Sequence, residues 1–262
     1  MTSPLHGLPR AALDDLAAAL VGGRLRLPPN AQQLRGVLDA ASVGAVCVEL
    51  ARMAALGMTA VHIAEVLSLL SAQQRRTEQA RDAVRLVWSG PERGARETRE
   101  TSVVIQELFH AAREELLIAT YAIHDGDVVF HDLAQRMQHR PALRVRIVLH
   151  VHWSPQGAAH AIHDAWHAFA AQWPSGARRP ALFYDDRSVK GDGHKRASMH
   201  AKFVVADDER AFVTSANFTE AAQERNVEAG VLIEQPAFAR ALRQHVDTLI
   251  EQRLLVPLLP PA

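Results

Sequence analysis

The feature that most limits what this chain can become is a run of strands whose polar residues fall where a buried sheet needs apolar ones. It spans 198–233 and reads SMHAKFVVADDERAFVTSANFTEAAQERNVEAGVLI. His200 and Lys202 have one residue between them, so on a strand both side chains leave the same face. Ala201, Phe203 and Val205 then face the other way, into packing. Asp207-Asp208-Glu209-Arg210 reads as a turn, and Ala211-Phe212-Val213 as the return strand of a hairpin. That strand runs out at Thr214-Ser215-Ala216-Asn217, and Glu228 sits on a third strand over 227–233. An imidazole, an ammonium, a carboxamide and two carboxylates are thus expected at one edge of a sheet.

This set suits attack on phosphorus. A neutral imidazole is a competent nucleophile and can form a covalent phosphohistidine. Lys202 and Asn217 can donate to the non-bridging oxygens as charge builds. A carboxylate such as Glu228 can hold the second ring nitrogen of a histidine and fix its tautomer. Nucleophile and oxyanion donors are all side chains, so no metal or other cofactor is expected. The plain alternative for His200 and Lys202 is a solvent-facing polar pair on an edge strand. Lysine usage argues against it. The chain has only Lys190, Lys195 and Lys202 among its many cations, and a compact ammonium is not interchangeable with a guanidinium.

The pattern His200-x-Lys202-x4-Asp207, followed by Ser215-x-Asn217, resembles the HKD signature of the phospholipase D superfamily. The resemblance implies phosphodiester chemistry on a phospholipase-D-like mixed sheet flanked by helices. It makes His200, Lys202, Asp207, Ser215, Asn217 and Glu228 the candidate catalytic residues. Thr214 stands where the superfamily usually has a glycine, which bears on substrate fit rather than on the chemistry. The superfamily uses two such motifs, one histidine as nucleophile and one as acid, and this chain has a single His-x-Lys. Single-motif members form two-fold dimers, so a homodimer bringing both copies of His200 across the axis is implied.

The resemblance extends beyond the motif. The helical N-terminal part, Leu86-Val87-Trp88-Ser89-Gly90-Pro91 and Leu117-Ile118-Ala119-Thr120-Tyr121-Ala122-Ile123-His124 are similar to phospholipase-D-like members of DISARM anti-phage defence systems. That implies a bacterial cytoplasmic nuclease acting beside helicase and methyltransferase partners. A non-catalytic nucleic-acid-binding or assembly subunit is the alternative from another class. Phospholipid hydrolysis is disfavoured, since no apolar surface helix or anchor is evident.

The rest of the chain bounds these readings. Of 262 residues 48% are apolar, enough for one large or two small domains. A change of period divides 1–84, expected to be a helical bundle, from 85–262, expected to be the catalytic domain. Basic and acidic residues balance at 29 each, so attraction to nucleic acid must come from local patches. The single Cys47 excludes an intrachain disulfide and fits a reducing compartment. No secretory leader is expected, and no apolar run approaches the ~20 residues that span a bilayer, so stable membrane insertion is not expected.

In 1–84, helices are expected from Pro9 to the Gly22-Gly23 stop, from an Asn30 cap through Leu34, Val37 and Leu38, over 43–56, and onward from a Thr59 cap. The hinge at Gly57-Met58-Thr59 invites a helix-turn-helix reading. Yet the turns after Thr59 read Ala-Val-His-Ile-Ala, almost without donors for base edges, which favours a plain bundle. Beyond it come a strand at 84–88, an arginine-rich loop at 93–99, a helix at 101–113 and a strand from 115 to His124. A helix at 128–139, a strand at 143–152, a helix at 158–173 and a strand at 181–184 lead to the hairpin. A closing helix at 237–254 and a tail at 257–261 follow, and the alternation argues an α/β architecture. The basic stretch 187–196 reads either as a lip for a phosphate backbone or as a solvated connector. Tyr121, His124 and Trp153 lie at strand ends, where rings can stack bases or simply pack. His163-Asp164-Ala165-Trp166-His167, with His160 on the same face and His150 and His152 upstream, has the spacing of a zinc helix but with Asp where that pattern has Glu. A metallohydrolase is the alternative it raises.

Overall fold

A computed structural model describes residues 3–90, 100–190, 196–219, 221–222 and 226–261. The arginine-rich loop 93–99 and the middle of the basic stretch, 191–195, lie outside the described residues. The chain forms two compact units, Met1–Asp82 and Ala83–Ala262.

The first unit is helical, with α1 (Arg10–Val21), α2 (Ala31–Leu34), α3 (Ala40–Ala55) and α4 (Ala60–Asp82). Leu13, Leu16 and Leu20 recur at helical spacing on α1 and are buried in one cluster with Ile63 and Leu67 of α4. Gly23, at φ +68°, takes the left-handed position that ends α1. Asn30 caps α2 reciprocally with Gln33, its Oδ1 accepting from the Gln33 amide at 2.9 Å. That helix ends at Leu34, short of the expected Val37 and Leu38. The reason is a second cap: Asp39 accepts from the Ser42 amide at 2.8 Å, and a capping residue must leave the helical region. Thr59 caps α4 through the His62 amide, as expected.

The second unit is a mixed eight-stranded sheet with helices on both faces. Its strands are β1 (Val84–Ser89), β2 (Glu115–Thr120), β3 (Arg144–Leu149), β4 (Ala181–Asp185), β5 (Phe203–Ala206), β6 (Arg210–Thr214), β7 (Glu228–Ile233) and β8 (Leu255–Pro257). They lie in the order β1-β7-β6-β5-β2-β3-β4-β8. The centre, β2-β3-β4, is parallel, and the other pairings are antiparallel. The helices are α5 (Thr101–Ala111), α6 (Gly126–Val129), α7 (His131–His139), α8 (Ala158–Gln172) and α9 (Pro236–Glu251).

Burial on both faces explains why β2 is a continuous apolar run. Leu116 and Ile118 join a cluster with Val104, Leu108 and Phe109 of α5. Leu117 and Ala119, pointing the other way, join Ala239 and Val246 of α9. Each large side chain so buried is worth about 1.5–3 kcal/mol against exposure. Phe212 of β6 lies close over the backbone of β7: a Cβ at Gly230 would sit 2.6 Å from its ring. Among the described residues no helix is long and apolar enough to cross a membrane.

Three expectations need correction. The helix expected at 128–139 is broken into α6 and α7 at Phe130, which turns inward to stack on Phe218 at 5.5 Å. The expected tail begins inside a strand, since β8 pairs antiparallel with β4. Pro257 is tolerated there because this is the sheet margin, where a missing N–H leaves no ladder bond unmade. His200 and Lys202 precede β5, which starts at Phe203, although the Thr214 amide still donates to the Lys202 carbonyl at 3.1 Å.

Candidate active site

Strand directions decide what meets at the sheet edge. β2 and β3 are parallel, and β5 is antiparallel to β2. β6 is antiparallel to β5, and β7 to β6. One edge therefore gathers the residues after β2 and β3, before β5, after β6 and at the start of β7. These are Tyr121, His150, His200 with Lys202, Ser215 with Asn217, and Glu228.

Lys202 is the buried member, only 8% exposed. Its Nζ lies 3.0 Å from the His200 carbonyl oxygen and 3.4 Å from each His200 ring nitrogen. It also stands 5.7 Å from the centre of the Tyr121 ring. Burial pulls the Lys202 ammonium below the usual lysine value, and the Glu228 carboxylate opposes that pull. The His200 ring is exposed and meets Tyr121 edge-on at 5.0 Å. A positive charge is thus held beside an accessible imidazole.

The β6–β7 side is built from hydrogen bonds. The Ser215 hydroxyl donates to the Glu228 carboxylate and accepts from the Ala229 amide at 3.2 Å. The Asn217 Oδ1 accepts from the Ala122 amide at 3.3 Å, which commits the carboxamide oxygen to the scaffold and leaves donation to its NH2 end. Thr214, in place of the superfamily's usual glycine, is buried, and its hydroxyl accepts from the Ala216 amide at 3.0 Å. It therefore braces the turn that presents Ser215.

Two expected site residues are placed differently. Asp207 lies at the opposite edge, where its carboxylate accepts from the amides of Arg113, Glu114 and Glu115 at 2.7, 2.8 and 2.9 Å. Asp207 and His200 lie beyond opposite ends of β5, whose four residues alone span about 13 Å at the usual strand rise. Asp207 and Asp208 both take left-handed backbone, φ 51° and 56°, as the central pair of the turn that the Glu209 amide closes on the Ala206 carbonyl at 3.0 Å. The carboxylate ties that turn to the start of β2. Glu228 reaches the expected edge, but its partners are Ser215 and, at 3.4 Å, Asn226, rather than a histidine ring.

The edge also holds histidines that the HKD spacing does not indicate. His150 stacks on Tyr121 at 4.8 Å and 13°, and His152 meets the same ring edge-on at 5.6 Å. Burial, more than the neighbouring His152, pushes the His150 imidazole down to about 4. The available sequence signal was His-x-His directly after the apolar run of β3. The zinc-like helix face is α8, where the His163 and His167 rings are 4.3 Å apart and His160 pairs with Asp164 at 3.2 Å. No group of three or more His, Cys, Asp or Glu side chains among the described residues is arranged to hold a metal ion.

Residues 105–250 match the family described as cardiolipin synthase, PLD-like domain. The DISARM protein DrmC of Bacillus paralicheniformis is 24% identical over 208 residues, covering 78% of this chain and 78% of that protein. Among solved structures, Nuc of Salmonella typhimurium, a phospholipase D family member, is 19% identical with a TM-score of 0.42, covering 66% of this chain and 96% of that one. Phosphatidylserine synthase of Haemophilus influenzae is 18% identical with a TM-score of 0.46, covering 66% of this chain and 39% of that one.

Proposed function

This chain belongs to the phospholipase D superfamily, and we propose that within it the protein is a metal-independent phosphodiesterase that cleaves nucleic acid through a phosphohistidine. The observation that carries this reading is the exposed His200 ring with the buried Lys202 ammonium beside it. His200 is the nucleophile. A neutral ring nitrogen attacks phosphorus, an N–P bond forms, and the P–O bond to the leaving group breaks. The departing oxygen takes its proton from the imidazolium of the partner subunit's His200. Water then attacks the phosphorus, gives its proton to that same partner imidazole, and releases His200.

Lys202 and the Asn217 NH2 meet the equatorial oxygens, where negative charge builds. Ser215 and Glu228 are positioning residues: their bond joins the end of β6 to the start of β7 and so fixes the approach of Asn217. Asp207 belongs to the scaffold. A two-fold dimer is needed because one chain supplies one His-x-Lys, and exposure of His200 leaves its ring open to a second copy. The reading sets this activity in cytoplasmic anti-phage defence, beside helicase and methyltransferase components, and the similarity to the DISARM protein DrmC supports it.

His200→Ala tests the reading on DNA and RNA substrates in the presence of chelator. Wild-type cleavage is expected to persist there, and the variant to lose turnover and form no covalent adduct. A misplaced acid or base alone is worth about 100- to 10,000-fold, so loss of the nucleophile is expected to exceed that. Unchanged cleavage by the variant removes the assignment. Light scattering that finds a fully active monomer removes the shared site.

A further inference from the structure

A cavity of about 400 Å³ opens beside the phosphate edge, lined by residues following β2 and β3 and by α8. Tyr121 belongs to both places: it lines the cavity, and its ring meets His200 at 5.0 Å. Leu149, Ala161 and Phe169, all buried, give the cavity apolar walls. His150 and Gln172 interrupt that lining with polar groups. One atom of each, His150 Nδ1 and Gln172 Oε1, is buried without a hydrogen-bond partner among the described residues. A largely apolar recess interrupted by a few polar side chains is the usual form of a small-ligand site. At the rim, Trp153 is 42% exposed and carries the Arg196 guanidinium 4.1 Å above its ring.

We propose that this cavity is a subsite for one nucleobase of the substrate, flanking the phosphodiester held at His200 and Lys202. The inference rests on the nuclease reading of that edge and adds a substrate determinant to it. A volume of about 400 Å³ suits a single nucleoside-sized group. A planar heterocycle satisfies both features at once, with faces for the apolar walls and an edge for His150 and Gln172. An acyl chain would leave both polar groups unmet. Burial keeps the His150 imidazole neutral near pH 7, so it offers one donor and one acceptor nitrogen. Arg196 adds a cation at the mouth for a neighbouring phosphate.

The test compares an oligodeoxynucleotide with an all-abasic strand of equal length, and deoxynucleoside monophosphates with deoxyribose 5-phosphate. Wild type is expected to cleave the base-bearing strand at least about tenfold faster below saturation, the order that one base–aromatic contact is worth. Ala165→Phe, which fills the cavity, is expected to bring that rate down to the abasic rate and leave the abasic rate unchanged. Gln172→Leu, which keeps the volume, serves if Ala165→Phe loses its native circular dichroism, and is expected to lower base-bearing cleavage alone. Equal cleavage of the two strands by wild type overturns the proposal. If wild type cleaves neither strand, binding decides. Monophosphate binding by tryptophan fluorescence that exceeds deoxyribose 5-phosphate binding and is lost in Ala165→Phe upholds the subsite while the nuclease reading falls. Equal binding of the two, or binding of short-chain phosphatidic acid in their place, overturns it.

Discussion

At one edge of the sheet, charges are paired off against each other. Arg146 bridges Glu115 and Asp247, Arg243 bridges Asp208 and Asp247, and Asp207 is consumed by three backbone amides. At the other edge Lys202 has no carboxylate at contact distance among the described residues. It stands instead against a carbonyl oxygen, an imidazole and a phenol ring. Both edges are polar, yet one is closed by ion pairs and the other is left with a cation whose charge awaits an anion. The HKD motif runs from the open edge to the closed one along β5. Its histidine and lysine therefore stand at the open edge, and its aspartate ties down the turn at the closed one.

Exchanging the roles of the two edges is the way to break this contrast. The largest effect is expected from Lys202→Met. Removing one donor to a transition-state oxyanion costs about 100- to 1,000-fold in kcat, while an apolar chain of similar length fits the buried stem and leaves the thermal midpoint unharmed. A drop in midpoint with the rate intact would make Lys202 the structural residue. Next comes Asp207→Ala, which strips three amides of a charged acceptor. It is expected to cost about 3 kcal/mol in urea unfolding, with kcat of the folded enzyme within about twofold of wild type. Stability unchanged with kcat collapsed would return Asp207 to the site.

The smallest effect concerns pH. Burial pushes the His150 imidazole of the folded protein down to about 4, from an ordinary 6.5. Because the folded state favours the neutral ring, its contribution to stability is complete above about 6.5 and declines as pH falls towards 4. His150→Phe is expected to flatten that part of the stability profile, as read by denaturant midpoints between those limits. An unchanged slope would mean that the ring is solvated.

Much of this was legible in the residues. The period-two alternation of Phe203, Val204 and Val205 sorted them correctly between the two faces, with Phe203 and Val205 opposite Val204. The strands expected at 115–124 and 143–152 are present as 115–120 and 144–149, apolar because both faces have helices to meet, while their parallel pairing was not read from the residues. Spacing alone failed for Asp207. A fixed interval in sequence says nothing about which end of a strand a residue occupies, and that depends on where the turn falls. β8 was hidden by Pro257, a residue that local propensity assigns to a tail and only a sheet margin admits. The break at Phe130 was set by three aromatic partners far away in sequence. Gln172 carried no local signal, since a glutamine near a helix end looks the same whether it faces solvent or a recess.

The bare backbone at Gly230 has a consequence for any attempt to vary this sheet. Phe212 occupies the space that a side chain at 230 would fill. The spacing between β6 and β7 is thus set by a missing carbon, and the Ser215–Glu228 contact at their ends inherits it. In a library randomised across the strands, diversity should collapse at 230 sooner than at the exposed histidine, because the first is demanded by every folded sequence and the second only by a working one.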